Sequence, residues 1–390
     1  MAGSTGGTGS SSPSTVPPAP KILLAKPGLV TTGPVVGKFG RGGAEDETMP
    51  HRSRLPTVGS LNLLSDSWEF HIDRFLPFLT ENTDFTVIGV IGPPGVGKST
   101  IMNELYGFDA GSPGMLPPFS VQSEDNRAMA RHCSVGIEPR ISAERLILLD
   151  TQPVFTPSVL AEMMRPDGSS TISVLSGENL SAELAHELMA IQLGVLLASI
   201  CHILLVVSDG VHDDNMWRLM LTSSTGGPER ENKDKLFEGE EYMATPVFVH
   251  TKLQDQNVTP LNLVQMRKAL AQYFSSSSFI RGRWGNMRKE NFFSSTASST
   301  INDFHAMPLN LFLIPSKNKD DLPRAQHESY NSALWKLRDE VLSMNCPSFA
   351  RAVSERDWLK NSAKIWEQVK SSAVIAGYSR TLQNSGMFRR

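Results

Sequence analysis

The sequence predicts an α/β fold, a mainly parallel sheet flanked by helices. Two observations carry that prediction. Five runs are continuously apolar and rich in β-branched residues, the pattern of strands buried on both faces: DFTVIGVIG (84–92), ERLILLD (144–150), HILLVVSDG (202–210), TPVFVHTK (245–252) and LNLFLIPSK (309–317). Helical stretches alternate with them, as the crossovers of a parallel sheet require.

In chain order, residues 1–58 are rich in Gly, Ser, Pro and Thr. Such a segment buries too little surface to offset its ordering entropy, so it is expected to be a disordered tail. KILLAKPGLV (21–30) is an apolar island within it, either a partner-docking peptide or neutral linker. Leu63, Trp68, Ile72, Phe75 and Leu79 predict a helix over 61–79 despite Pro77. The first strand runs into a glycine-rich turn, and STIMNELYG continues it as a helix. A helix over 182–200 leads directly into the third strand. It packs in the core or offers a face to partners, and core packing is the first expectation. Polar stretches at 222–243, 275–300 and 316–330 read as surface insertions in a domain covering 59–345. Residues 346–390 read as a helical extension. Its helix spans 354 to about 380, with Ser354 and Asp357 as a capping pair and Trp358, Ile365, Val369, Ala373 and Ala376 at helical spacing.

Composition narrows the class. The 390 residues carry a formal charge of −3 and are 40% hydrophobic, which gives no electrostatic case for direct nucleic-acid binding. Cys133, Cys201 and Cys346 lie far apart, with no CxxC pair, which fits a reducing compartment. The N-terminus has no apolar signal region. The longest apolar run, 193–207, is interrupted by Ser199, Cys201 and His202 and reads as too mixed to span a bilayer. A soluble cytoplasmic protein without membrane contact is expected.

The strongest chemical signal is Gly92, Pro93, Pro94, Gly95, Val96, Gly97, Lys98 and Ser99, followed by Thr100. It matches GxxxxGK[ST] between a buried strand and a helix, the context that motif requires. Glycines let successive N–H groups curl inward around phosphate oxygens, and the helix adds its positive end. The lysine then reaches the β- and γ-phosphates, and the serine hydroxyl ligates Mg²⁺. The fold class is therefore a P-loop NTPase of G-domain-like type. The expected cofactors are a nucleoside di- or triphosphate, GDP/GTP or ATP, and Mg²⁺.

Other parts of such a site are altered. Asp150 ends a buried strand, where an aspartate supports Mg²⁺. A DxxG motif would place a glycine amide on the γ-phosphate, but Pro153 stands there and has no N–H. Val154 follows, where a water-orienting glutamine would fall, and Gln152 lies just before the proline. Ser134 is the candidate second hydroxyl for Mg²⁺, although a plain loop serine is the first reading of the residues. For the base, Thr251, Lys252, Leu253 and Gln254 lie in register with NKxD. Lys252 can pack its stem on a base, but Gln254 removes the carboxylate that accepts from guanine. Pro315-Ser316-Lys317 corresponds to the SAK motif. Guanine selectivity is therefore not expected, and adenine is admissible. His202 reads as a core histidine, and His212, Asp213 and Asp214 as a solvated loop.

GVIGPPGVGKS, RLILLDTQPVFTPSVL, ELMAIQLGVLLASICHILLVVSDG and SERDWLKNSAKIWEQVKSSAVIAGYSRTL together resemble the Smg-nine family of nonsense-mediated mRNA decay. The tryptophans Trp358 and Trp366 and the AxYSR ending are part of the likeness, which covers roughly 55–385. The resemblance implies a G-like domain that pairs with a related G-like protein, Smg-eight. It further implies that the pair docks on Smg-one, a PI-kinase-like kinase, and restrains or directs its phosphorylation of the Upf helicase. Two readings of activity stay open, beside a third of a scaffold with an empty pocket. One is a nucleotide-binding regulator with absent or very slow hydrolysis. The other is a working switch whose catalytic group is Gln152 or is supplied by a partner.

Overall fold

The computed structural model describes residues 61–109, 115–129, 132–165, 174–175, 180–225, 242–275, 277, 309–317, 328–345, 349 and 352–385, with Gly3 alone in the tail. The expected disordered tail, its apolar island and most of the three polar stretches lie outside these residues.

Six strands form one sheet: β1 (Thr86–Ile91), β2 (Ile137–Ile141), β3 (Leu146–Thr151), β4 (Ile203–Asp209), β5 (Thr245–Leu253) and β6 (Asn310–Pro315). Their spatial order is β2-β3-β1-β4-β5-β6. All neighbours pair in parallel except β2 with β3. That is a G-domain arrangement, with the P-loop on the central β1. Five strands coincide with the predicted apolar runs. β2 was not predicted, because Glu138-Pro139-Arg140 breaks the apolar pattern. A proline is tolerated there because β2 lies at the end of the sheet order.

Strand residues alternate between two apolar layers, as the two-residue pleat requires. Ile88 and Val90 of β1 face α1 (Lys98–Tyr106) and α7 (Tyr330–Ser343), which contribute Ile101, Met102, Leu334 and Leu337. Val87 and Ile91 face the opposite layer, built around α4 (Ala182–Ile200). This helix is long and apolar enough to cross a membrane by length and composition, yet most of it is buried inside the domain. Its neighbours are α3 (Pro157–Met163), α5 (Asp214–Thr225), α8 (Glu355–Lys370) and α9 (Ala373–Asn384). Gly194 lets α5 approach, since a Cβ there would stand 2.3 Å from Ser223 Oγ. The remaining helices are α2 (Glu124–Ala128) and α6 (Pro260–Tyr273).

Two helix expectations are corrected. The segment 61–79 is an irregular strap with only a single 3₁₀ turn, Leu76–Phe78. Its apolar residues do bury: Leu63, Trp68, Phe75 and Leu79 are all sealed from solvent. They reach the core by turns, with Trp68 in the left-handed region at φ 63°. Trp68 Nε1 donates to Gln192 Oε1 of α4 at 2.8 Å. Leu63 and Leu64 exchange backbone hydrogen bonds with Ile137 at the start of β2. The mean spacing was near-helical, but these tertiary anchors override it. The C-terminal helix is two helices, divided where Ser372 caps α9 through the Ile375 N–H.

α8 is fastened to the strap and to the β2–β3 turn. Its buried Glu355 accepts from the Thr80 N–H and hydroxyl and from the Arg145 guanidinium. Trp358 Nε1 donates to the Ile200 carbonyl at 2.8 Å, and Trp366 meets Trp68 edge-on at 5.6 Å. Removing Arg145 would leave a buried carboxylate short of its counter-ion, a loss of about 3–5 kcal/mol. Both C-terminal tryptophans are thus core residues rather than an exposed docking face.

Candidate functional site

β1 delivers the chain into the P-loop at the sheet's carboxyl edge. Only glycine fits at 92, because a Cβ there would lie 2.3 Å from the Val207 carbonyl oxygen. Gly95 and Gly97 take left-handed conformations, at φ 74° and 96°, that other residues rarely adopt. Gly97 is the N-cap of α1, so Lys98, Ser99 and Thr100 form its first turn beside the loop. Lys98 folds back and donates to the carbonyls of Gly92 (2.9 Å) and Pro93 (3.1 Å). Burial pushes its pKa from 10.5 to about 8, against an opposite pull from Asp150.

The three predicted magnesium-side residues converge. Asp150 Oδ2 accepts from Ser99 Oγ at 2.7 Å and from Ser134 Oγ at 2.9 Å, and the two hydroxyls are 3.4 Å apart. Asp150 is fully buried; its Oδ1 has no partner within hydrogen-bond geometry among the described residues, although the Thr151 N–H lies close enough to the carboxyl to lower its pKa. Burial raises its carboxyl above the usual range, while Lys98 and the two serines draw it down. An orphaned buried carboxylate oxygen is costly unless a ligand satisfies it. One carboxylate beside two hydroxyls is a hard-oxygen set suited to Mg²⁺. Ser99, Ser134 and Asp150 would hold that ion, which would neutralise phosphate charge when bound.

The γ-phosphate side is incomplete, as the sequence suggests. Pro153 lines the cleft without a backbone donor, and the Val154 N–H is committed to the Gly92 carbonyl at 3.2 Å. The Gln152 side-chain oxygen is already engaged. Its side chain is buried, and its Oε1 accepts the Gly136 N–H at 3.0 Å, fastening β3 to the entry of β2. That contact argues against the Gln152 variant of the switch reading.

At the base end, Thr251 fastens the loop to β5. Its hydroxyl donates to the carbonyls of Val96 (2.9 Å) and Ser208 (3.2 Å). Lys252 is held at φ 57°, and its ammonium pairs with Asp209 Oδ2 at 2.7 Å. That ammonium lies 4.0 Å from where a Cβ on Gly95 would stand, so the lysine lies over the P-loop. Gln254 is exposed, and its Oε1 accepts from Gln256 Nε2 at 2.8 Å. The Ser316 N–H donates to the Leu253 carbonyl at 2.8 Å, which places Pro315-Ser316-Lys317 beside this loop.

The chain is 30% identical to the nonsense-mediated mRNA decay factor SMG9 of Xenopus laevis over 405 aligned residues, covering 94% of this chain and 78% of that protein. The chain belongs to the SMG9 family of nonsense-mediated mRNA decay factors. The SMG9 of Xenopus tropicalis is 29% identical over 94% of this chain and 77% of its own length. The Caenorhabditis elegans SMG9 is 23% identical over 96% of this chain and 90% of its own. No family model matches the chain. A septin GTPase domain from Chlamydomonas reinhardtii aligns with a TM-score of 0.30 and 12% identity, over 76% of this chain and 98% of that one. The G-domain assignment for this SMG9-family chain rests on its own strand order and P-loop.

The remaining expectations sort as follows. His202 is a core histidine. Its Nδ1 accepts the Val87 N–H at 2.9 Å, its ring lies 4.1 Å from that of Phe349, and burial pushes its pKa down to about 4. Asp213 Oδ1 accepts the Met216 N–H as α5 begins, and the His212 ring meets Trp217 edge-on. Sequence reasoning missed Ser120, Val121, Gln122 and His132, which line the cleft beside the P-loop of this SMG9-family domain. They lie in a stretch without periodicity, and only proximity to Ser134 could have pointed to them.

Proposed function

We propose that this chain is a nucleotide-binding regulatory subunit of nonsense-mediated mRNA decay. It holds a nucleoside di- or triphosphate with Mg²⁺ on the P-loop and hydrolyses it slowly or not at all. The observation that supports this best is the convergence of Ser99, Ser134 and Asp150, with an unpartnered Asp150 Oδ1, beside Lys98. Pro153, Val154 and the committed Gln152 argue against efficient hydrolysis by this chain alone. Bound nucleotide would stabilise the domain by mass action and fix the segment carrying Ser134. Met115, Leu116, Val121 and Met129 stand exposed on the stretch between α1 and β2. We assign these exposed apolar residues to contact with a partner. Family membership supports a related G-like protein, Smg-eight, in that place, with the pair controlling the Smg-one kinase in the cytoplasm.

The test is chemical. Full-length protein purified with its partner should carry a nucleotide identifiable by mass spectrometry, and Lys98→Ala should lose it. An empty wild-type pocket, with no affinity for any nucleotide in the presence of Mg²⁺, would reduce the protein to a scaffold. Single-turnover hydrolysis separates regulator from switch, because phosphate release abolished by Lys98→Ala would favour a partner-supplied catalytic group.

A further inference from the structure

We infer that Gln152 is a positioning residue of this site. Its side chain holds the segment that carries Ser134, so that the protein, rather than a third phosphate, places the second magnesium-side hydroxyl. The inference rests on the nucleotide-binding reading above and deepens it, because it makes the magnesium side indifferent to whether a di- or triphosphate is bound.

Three observations carry it. First, Gln152 grips Gly136 at two points. Its N–H donates to the Gly136 carbonyl at 2.8 Å, and its side-chain Oε1 accepts the Gly136 N–H at 3.0 Å. A backbone N–H only donates, so the oxygen is the amide atom that faces it. β2 and β3 pair as far as Ile137 and Thr151, and this side chain adds a rung beyond that limit. Second, Gly136 is closed in from its other side. It sits at φ 57°, and a Cβ there would collide with the Leu64 carbonyl of the strap. That same carbonyl accepts the Ile137 N–H at 3.1 Å. Third, Ser134 stands two residues before Gly136, as Asp150 stands two before Gln152, and the Ser134 hydroxyl donates to Asp150 Oδ2 at 2.9 Å. Thr151 lies between Asp150 and Gln152, and its hydroxyl donates to the Val90 carbonyl at 2.7 Å, which fixes β3 to the strand that enters the P-loop.

A ligand contributes most when its position is set before the ion arrives, because no ordering cost then falls on binding. Two residues of chain span at most about 7 Å, so a fixed Gly136 confines Ser134 to the neighbourhood of Asp150 and Ser99. In a nucleotide switch the corresponding segment is ordered by the γ-phosphate with its Mg²⁺ and released on hydrolysis. Here Leu64 and Gln152 hold the end of that segment through bonds within the chain. A neutral amide suits the task. An aliphatic side chain would lack the acceptor, and a carboxylate would set a second negative charge beside buried Asp150. The ligand class is the Mg²⁺ complex of a nucleoside di- or triphosphate, with Gln152 acting on it only through Ser134.

The experiment titrates a nucleoside diphosphate and a non-hydrolysable triphosphate, each with Mg²⁺ and with EDTA, into full-length protein with its G-like partner. Gln152→Met keeps the length of the side chain and removes the acceptor. It is expected to weaken binding in Mg²⁺ by about fivefold to tenfold for both nucleotides, the value of one hydrogen bond, and to leave binding in EDTA within about twofold. Gln152→Met combined with Ser134→Ala should bind no more weakly than Ser134→Ala alone, a result that a general loss of stability would not give. In the wild type, amide hydrogen exchange over 134–136 should be equally slow with either Mg²⁺-nucleotide. Equal weakening of Gln152→Met in Mg²⁺ and in EDTA, an additive double variant, or exchange that slows only with the triphosphate overturns the inference and leaves Gln152 a contact of the fold alone. Wild-type protein that binds neither nucleotide overturns the nucleotide reading, and this inference with it.

Discussion

The two ends of the cleft differ in what the fold has kept. At the phosphate end, the lysine, both hydroxyls and the aspartate stand within bonding distance of one another or of the loop. At the base end, the scaffold is present and the recognition group is not. Thr251 still fastens the P-loop to β5 and Lys252 still lies over Gly95, while Gln254 stands where a carboxylate would select guanine. A nucleotide held as proposed would meet loop amides and several side chains at once, with Lys98 and Asp150 the largest single contributors. Base selectivity, on the proposed reading, would rest on one charged acceptor, so one substitution would remove it.

The largest effect should come from the phosphate end. Asp150→Ala removes the carboxylate of the magnesium set and should cost about 100-fold in Mg²⁺-dependent nucleotide affinity, measured by titration with and without EDTA. A loss independent of Mg²⁺ would break the assignment of Ser99, Ser134 and Asp150 to the ion. At the base end, Gln254→Asp restores the charged acceptor. It should shift preference toward guanine over adenine nucleotides by about tenfold, read in competition binding. An unchanged ratio would mean that the base lies elsewhere.

A smaller effect follows from pH. Free Lys98 has a pKa lowered to about 8, and bound phosphate would raise it. Below pH 8 the ammonium is already in place, whereas above it binding must take up a proton. Triphosphate affinity should therefore fall by about tenfold between pH 7 and pH 9. Gln254→Asp should leave that slope unaltered, since the titrating group sits at the other end. The smallest effect is expected from Thr251→Val, which unties the loop from β5. It should weaken all nucleotides by about threefold to tenfold without changing base preference, the value of one ordinary hydrogen bond.

The phosphate end was legible in the sequence because its parts are local. A strand, a glycine turn and a helix follow one another in a single stretch, and Asp150 closes a second apolar strand. Ser134 could only be nominated, since its meeting with Ser99 and Asp150 depends on how the chain returns along β2. The strap was misread for a related reason. Its apolar residues recur near helical spacing, yet Trp68 is anchored by Gln192 and Trp366, partners far along the chain that periodicity does not see. β2 was hidden by Pro139, which only an end-of-sheet position tolerates. His132 carried no signal, because its hydrogen bond to Ser158 joins residues 26 apart in the chain.

The clamp at Glu355 also bears on how the protein is made. Thr80 and Glu355 are 275 residues apart, so the strap emerges from the ribosome long before α8 exists to receive it. Contacts of such separation close last and slowly. Until then Trp68 and its neighbours have no lid, a state open to aggregation or chaperone capture. A nascent chain stopped before α8 would therefore hold a complete P-loop and still lack a finished core, so release of the C-terminus times its maturation.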